Sequence, residues 1–109
     1  METEKFRLVY ITCKDNEEAK KIGKTLVESK LCACVNIINQ MQSLYIWEGK
    51  LIEDNESILI GKTTLPNLDS IQTKIKEIHS YTNPCIISLP ILEGSREYLE
   101  WIEASVKRD

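Results

Sequence analysis

At 109 residues, with 42% hydrophobic and 28% charged side chains, the chain has the length and balance of one soluble globular domain, expected to span residues 1–109, and is neither a disordered segment nor a fibre. A net charge of −3, with both signs interspersed, excludes a phosphate-binding basic stripe and so argues against a nucleic-acid partner. The longest apolar run, residues 31–35, is far short of a membrane span, and METEKFRLVY has no basic flank leading into an apolar signal core. A cytoplasmic protein with no membrane partner is expected, its four cysteines as free thiols.

FRLVYITC at 6–13 mixes β-branched and aromatic residues and predicts a first strand. Asp15 and Glu18 form a capping box, after which Ala19, Ile22, Leu26 and Val27 recur at helical spacing to about Ser29. LCACVNII at 31–38 is apolar at consecutive positions and reads as a central strand. NQMQS at 39–43 then suggests a kink or bulge before LYIW resumes the strand. EGK at 48–50 supplies a glycine for a hairpin turn, and LIEDNESILIGKT brings the chain back, giving a long hairpin with a polar outer end. Thr64 is placed to cap a second helix with Pro66 in its first turn and Leu68, Ile71, Ile75 and Ile78 as its apolar stripe. NPCIISLPI at 83–91 is a further strand bounded by prolines. Ser95 caps a last helix in which Tyr98, Leu99, Trp101, Ile102 and Val106 nearly encircle the axis, so more than one side needs cover. The order βαββαβ plus a C-terminal helix favours an α+β ferredoxin-like sandwich with an antiparallel sheet.

GKTT at 61–64 lies where a phosphate-binding loop would put its lysine and threonine, but the required earlier glycine is Glu56 and the intervening SILI is a strand. Tyr45 and Trp47 project from one face of a strand, yet an RNA-binding signature is missing, so packing against a helix or another subunit explains them better. The metal-ligating inventory is Cys13, Cys32, Cys34, Cys85 and the sole histidine, His79, without the paired knuckles of a structural zinc site. On a continuous strand the sulfurs of Cys32 and Cys34 would point the same way, about 7 Å apart, too far for a disulfide without backbone distortion. His79 closes helix two, where the dipole favours its charged form, although a capping or solvated histidine explains it as well. No nucleophile motif with a positioned histidine and carboxylate is legible.

With these residues laid out, the chain resembles the CutA family of divalent-cation-tolerance proteins over about residues 8–106. ACVNII at 33–38, SLYIWEGK at 43–50, Glu56, KT at 62–63, HSY at 79–81, LPI at 89–91 and YLEWI at 98–102 fall in family order and spacing. The resemblance implies a ferredoxin-like protomer in a tight homotrimer whose hairpin strands extend neighbouring sheets. It further implies a role in tolerance of copper and other divalent cations without an attached reaction, and an architecture similar to PII signalling proteins, whose trimers bind effectors between subunits. By the same resemblance Cys34, Trp47, Glu56, Lys62, His79 and Tyr81 are the cleft residues. The chain departs from the family pattern where Ser80 replaces a proline, Thr82 and Cys85 replace glutamates, Asn39 replaces a proline and Gly61 replaces an aliphatic residue. The loss of two carboxylates and the gain of Cys85 would shift preference toward soft ions such as Cu(I).

The reading that follows is a non-enzymatic homotrimer in divalent-cation homeostasis that requires no cofactor and binds copper or another divalent cation through Cys34 and His79. Cys32 is read as a small core residue. The alternative is a PII-like signalling or scaffold trimer with a small anionic or aromatic effector between Lys62, Trp47 and Tyr81.

Overall fold

The computed structural model describes residues 5–107. In β1 (Phe6–Cys13) Val9, Ile11 and Cys13 are buried while their neighbours are partly exposed, so period-two alternation sorts the strand into a core face and an open face. α1 (Asn16–Glu28) starts where the Asp15 carboxylate accepts the Glu18 N–H at 2.9 Å, and it buries Ala19, Ile22, Gly23 and Leu26. It ends in a Schellman turn: Lys30, at φ 62°, donates to the Val27 carbonyl at 3.0 Å, and Leu31 donates to Leu26 at 2.9 Å.

β2 (Cys34–Trp47) and β3 (Lys50–Thr64) form the hairpin, and a 3-10 turn (Leu65–Asn67) leads into α2 (Leu68–Ile78), β4 (Ile86–Pro90) and α3 (Arg96–Ser105). The four-stranded antiparallel sheet has the order β2-β3-β1-β4, the ferredoxin-like arrangement. α1 and α2 cover the core face, where Ile22, Leu26, Ile71 and Ile75 pack on Val9, Ile11, Cys13 and Leu59. Ile102 of α3 and Val106, just past its end, pack with Ala33 and Phe6, giving one end of the open face partial cover.

Several expectations are corrected. β2 is an edge strand, not a central one, and begins at Cys34. Residues 31 and 32 are lost to the ladder because their N–H groups are both taken by the Leu26 carbonyl at the helix end, and the first bond to β3 is the one Ala33 donates to the Lys62 carbonyl at 2.8 Å. Cys32 is consequently core-facing against Gly61, whereas Cys34 pairs across from Lys62 on the open face, so the two sulfurs do not share a direction. Thr64 makes no side-chain cap bond and instead accepts from Asn67 Nδ2 at 3.0 Å, with Pro66 inside the 3-10 turn. The outer end of the hairpin is not polar: Leu44, Ile46, Trp47 and Leu51 are exposed there. Its two-residue turn uses positive φ at both Glu48 (51°) and Gly49 (79°), the primed geometry that matches strand twist. GKTT lies within β3 and its run-out, so no phosphate loop exists.

The expected irregularity near residue 39 is a bulge with a consequence for the site. Ile38 pairs with Ile58 and Met41 with Glu56, leaving Asn39 and Gln40 opposite Ser57 alone. Gln40 takes φ 60°, and Asn39 Oδ1 accepts from Ser57 Oγ at 2.9 Å. The extra residue shifts the pleat. Before it, Cys34, Asn36 and Ile38 stand opposite the even-numbered β3 residues; after it, Met41, Ser43, Tyr45 and Trp47 do so. Tyr10 Oη donates to Met41 Sδ at 3.6 Å, which fixes that set on the open face.

Candidate functional site

The end of β1, the first turn of α1 and the residues after α2 converge on three dissimilar donors. One atom each of Cys13, Glu18 and His79 lie within 4.8 Å of one another. Cys13 arrives as the last core-facing residue of β1, Glu18 as the capping-box acid, and His79 as the residue that closes α2 by donating its N–H to Ile75.

Glu18 and His79 are already engaged. Glu18 Oε1 accepts from the Lys14 N–H at 2.9 Å and Oε2 from the Ser80 N–H at 2.8 Å. A proline at position 80 could not donate that second bond, so the serine at this turn permits it. His79 Nε2 lies 2.8 Å from the Thr12 carbonyl, which can only accept, and Nδ1 accepts the Tyr81 N–H at 3.0 Å. The hydrogen-bond network thus assigns a neutral imidazole protonated on Nε2, with Nδ1 3.8 Å from Glu18 Oε2. His79 caps the helix as expected, but the expectation of a charged or solvated side chain gives way to a fully buried one.

Burial, reinforced by the charges of Glu18, Glu56 and Asp15, pushes the Cys13 thiol up to about 12. Burial also acts to raise Glu18, but the hydrogen bonds from Lys14 and Ser80 outweigh it and hold the carboxyl below its ordinary value. The resulting set is a thiol, a neutral imidazole and a carboxylate in a dry corner.

Tyr81 links this corner to the open face. Its ring lies 4.8 Å from that of His79, and its hydroxyl donates to Glu56 Oε2 at 2.6 Å. There a cavity of about 440 Å³ is lined by Tyr45, Trp47, Glu56, Tyr81 and Cys85, among others. Trp47, Glu56 and Tyr81 therefore line one cavity, because the bulge turns Trp47 to the Glu56 side.

Cys34 and Lys62 are elsewhere. Cys34 Sγ lies 3.7 Å from Tyr98 Oη, and Lys62 Nζ donates to the same hydroxyl at 3.2 Å. Lys62 pairs with Leu8, whereas His79 bonds to Thr12, four residues along β1. That offset is about 13 Å of strand, so within one protomer Cys34 does not meet His79. Cys13 and Glu18 were not singled out as site residues by sequence reasoning. Their signal was indirect: Cys13 continues the Val9 and Ile11 parity, and Glu18 is the capping-box acid.

Comparison with known proteins bears on what such a site handles. The model of a family described as CutA1 divalent ion tolerance protein matches residues 7–105. The divalent-cation tolerance protein CutA of Thermus thermophilus is 45% identical over 95 residues, covering 87% of this chain and 92% of that protein. The chloroplastic CutA protein of Arabidopsis thaliana is 41% identical over 100 residues, and the chain spans 55% of its length. The crystal structure of CutA1 from Oryza sativa superposes with a TM-score of 0.95 at 38% identity, with full coverage of both chains.

Proposed function

The chain belongs to the CutA1 divalent ion tolerance family, a non-catalytic one, and from that premise we propose that it is a homotrimer that binds copper or another divalent cation as its cargo. The observation that carries the cation-binding reading is the convergence of Cys13, Glu18 and His79 within 4.8 Å. Thiolate, imidazole and carboxylate together suit a borderline or soft transition ion better than magnesium or calcium.

The donor set fits at a definable cost. Tetrahedral coordination with bonds of roughly 2.0–2.3 Å places donors roughly 3.3–3.8 Å apart, so the cluster contracts by about 1 Å on loading. His79 Nδ1 releases the Tyr81 N–H, and Cys13 releases its proton, so affinity rises with pH and loading liberates a proton. His79 is thus retained from the sequence reading, with Cys13 as its sulfur partner inside one protomer. Cys34, beside the Lys62 ammonium, faces a charge that repels cations.

Support for the trimer comes from the distal hairpin, where Leu44, Ile46 and Leu51 are at least 60% exposed on a two-stranded extension with an open edge. The free state of all four cysteines accords with a cytoplasmic setting.

Anaerobic titration with Cu(I) and with Zn(II), with released protons counted, tests the cation reading. Saturable binding at fixed stoichiometry is expected, lost in Cys13→Ala and in His79→Ala and retained in Cys34→Ala. Loss in Cys34→Ala alone would move the site to the Tyr98 corner. Absence of saturable binding in the parent chain would remove the reading.

A further inference from the structure

The 440 Å³ cavity on the open face uses none of the three cluster donors, and its chemistry points to a different ligand. Glu56 is only 8% exposed, yet the bond recorded for it among the described residues comes from a neutral phenol, that of Tyr81, and no ion pair reaches it. A buried carboxylate without a counter-cation is costly, and a cationic ligand is what relieves it. Among the described residues no lysine, arginine or histidine lines the cavity, whereas Tyr45, Trp47 and Tyr81 all do. Tyr45 is tied by its hydroxyl to Asp54 Oδ2 at 2.5 Å, which holds a second carboxylate beside that ring.

Lys62, expected to meet a small anionic or aromatic effector together with Trp47 and Tyr81, is six residues along β3 from Glu56, about 20 Å away. Without that lysine the charge of the pocket favours a cation over an anion. Size and donor count separate the remaining cations. A small dication wants several donors, charged ones among them, gathered around one point, whereas this cavity spreads a single carboxylate, the neutral oxygens of Thr12, Thr82 and Asn83 and three aromatic rings over about 440 Å³. A diffuse, weakly hydrated organic cation gains from ring faces and needs a single compensating charge.

We propose that this pocket binds a small alkylammonium compound, with Glu56 neutralising the charge and the rings of Tyr45, Trp47 and Tyr81 surrounding the alkyl groups.

Choline is a suitable probe, read by calorimetry and by the fluorescence of Trp47 in a Trp101→Phe background, at constant ionic strength set with sodium chloride. Saturable choline binding is expected. 3,3-Dimethylbutan-1-ol, its uncharged carbon analogue, is expected to bind at least ten-fold more weakly, as is choline to Glu56→Gln. Trp47→Leu weakens binding several-fold, and Cys13→Ala leaves it unchanged, which separates this pocket from the cation cluster. Equal binding of the neutral analogue, indifference to Glu56→Gln, failure to saturate, or displacement of choline by stoichiometric Zn(II) would each overturn the proposal.

Discussion

Cys32 and Gly61 share one volume in the core. A Cβ built on Gly61 would stand 2.8 Å from Cys32 Sγ, closer than real carbons come to such a neighbour. The glycine thus makes room for a fully buried sulfur, which accounts for the departure from the CutA pattern at position 61. Gly61→Ala is expected to cost about 1–3 kcal/mol by overpacking, and the same change in a Cys32→Ala background much less. Denaturant unfolding of the four chains in the cycle measures the difference. Cys13 carries a pH dependence of its own. Its thiol titrates near the ordinary 9.0 when unfolded and near 12 when folded, so the native state holds the extra proton between those limits. Its contribution is complete below pH 9 and declines as pH rises toward 12. Glu18, held below 4.5, works in the opposite sense, its contribution fading as acid protonates it. The cation-free protein should lose stability on the alkaline side, and Cys13→Ala should flatten that limb; urea midpoints across the range report it.

The turn after α1 is closed by a residue poorly suited to it. Lys30 adopts φ 62° at the position where a Schellman turn prefers glycine. Lys30→Gly should raise stability by up to about 1 kcal/mol, seen as a higher unfolding midpoint with an unchanged denaturant slope. This is also the scale at which the sequence was most and least readable. The stripe of Leu68, Ile71, Ile75 and Ile78 and the alternation of Val9, Ile11 and Cys13 announced α2 and β1, because burial period is local information. The apolar run at 31–38 misled, since its first residues are spent closing a helix and only its later part pairs. The turn after β2 was found from Gly49, but the positive φ of Glu48 left no trace in residue type. The Cys13, Glu18 and His79 cluster has no spacing motif because its members meet through the packing of three elements. Trp47, Glu56 and Tyr81 were legible as one group only through the family resemblance.

At the scale of the molecule, the β2–β3 hairpin reaches beyond the region covered by helices, and it is apolar on both sides. Tyr45 and Trp47 lie toward the pocket, with exposed Leu44 and Ile46 on the opposite side. An extension of this kind is stable when another surface closes over it. If the proposed trimer closes over this hairpin, replacing Leu44 and Ile46 together by lysine should leave the circular dichroism intact but shift sedimentation from three chains to one at micromolar concentration. Retention of the assembly would place the subunit contacts elsewhere. The bulge at Asn39 and Gln40 gives the hairpin a further property. Removing one amino acid there would rotate the whole distal segment of β2 by half a pleat, sending both its rings to the far side and Leu44 and Ile46 inward. The identity of the chamber's walls is thus set by how many peptide units precede them, and a length change at that point would rewrite ligand preference while leaving every wall-forming side chain in the gene untouched.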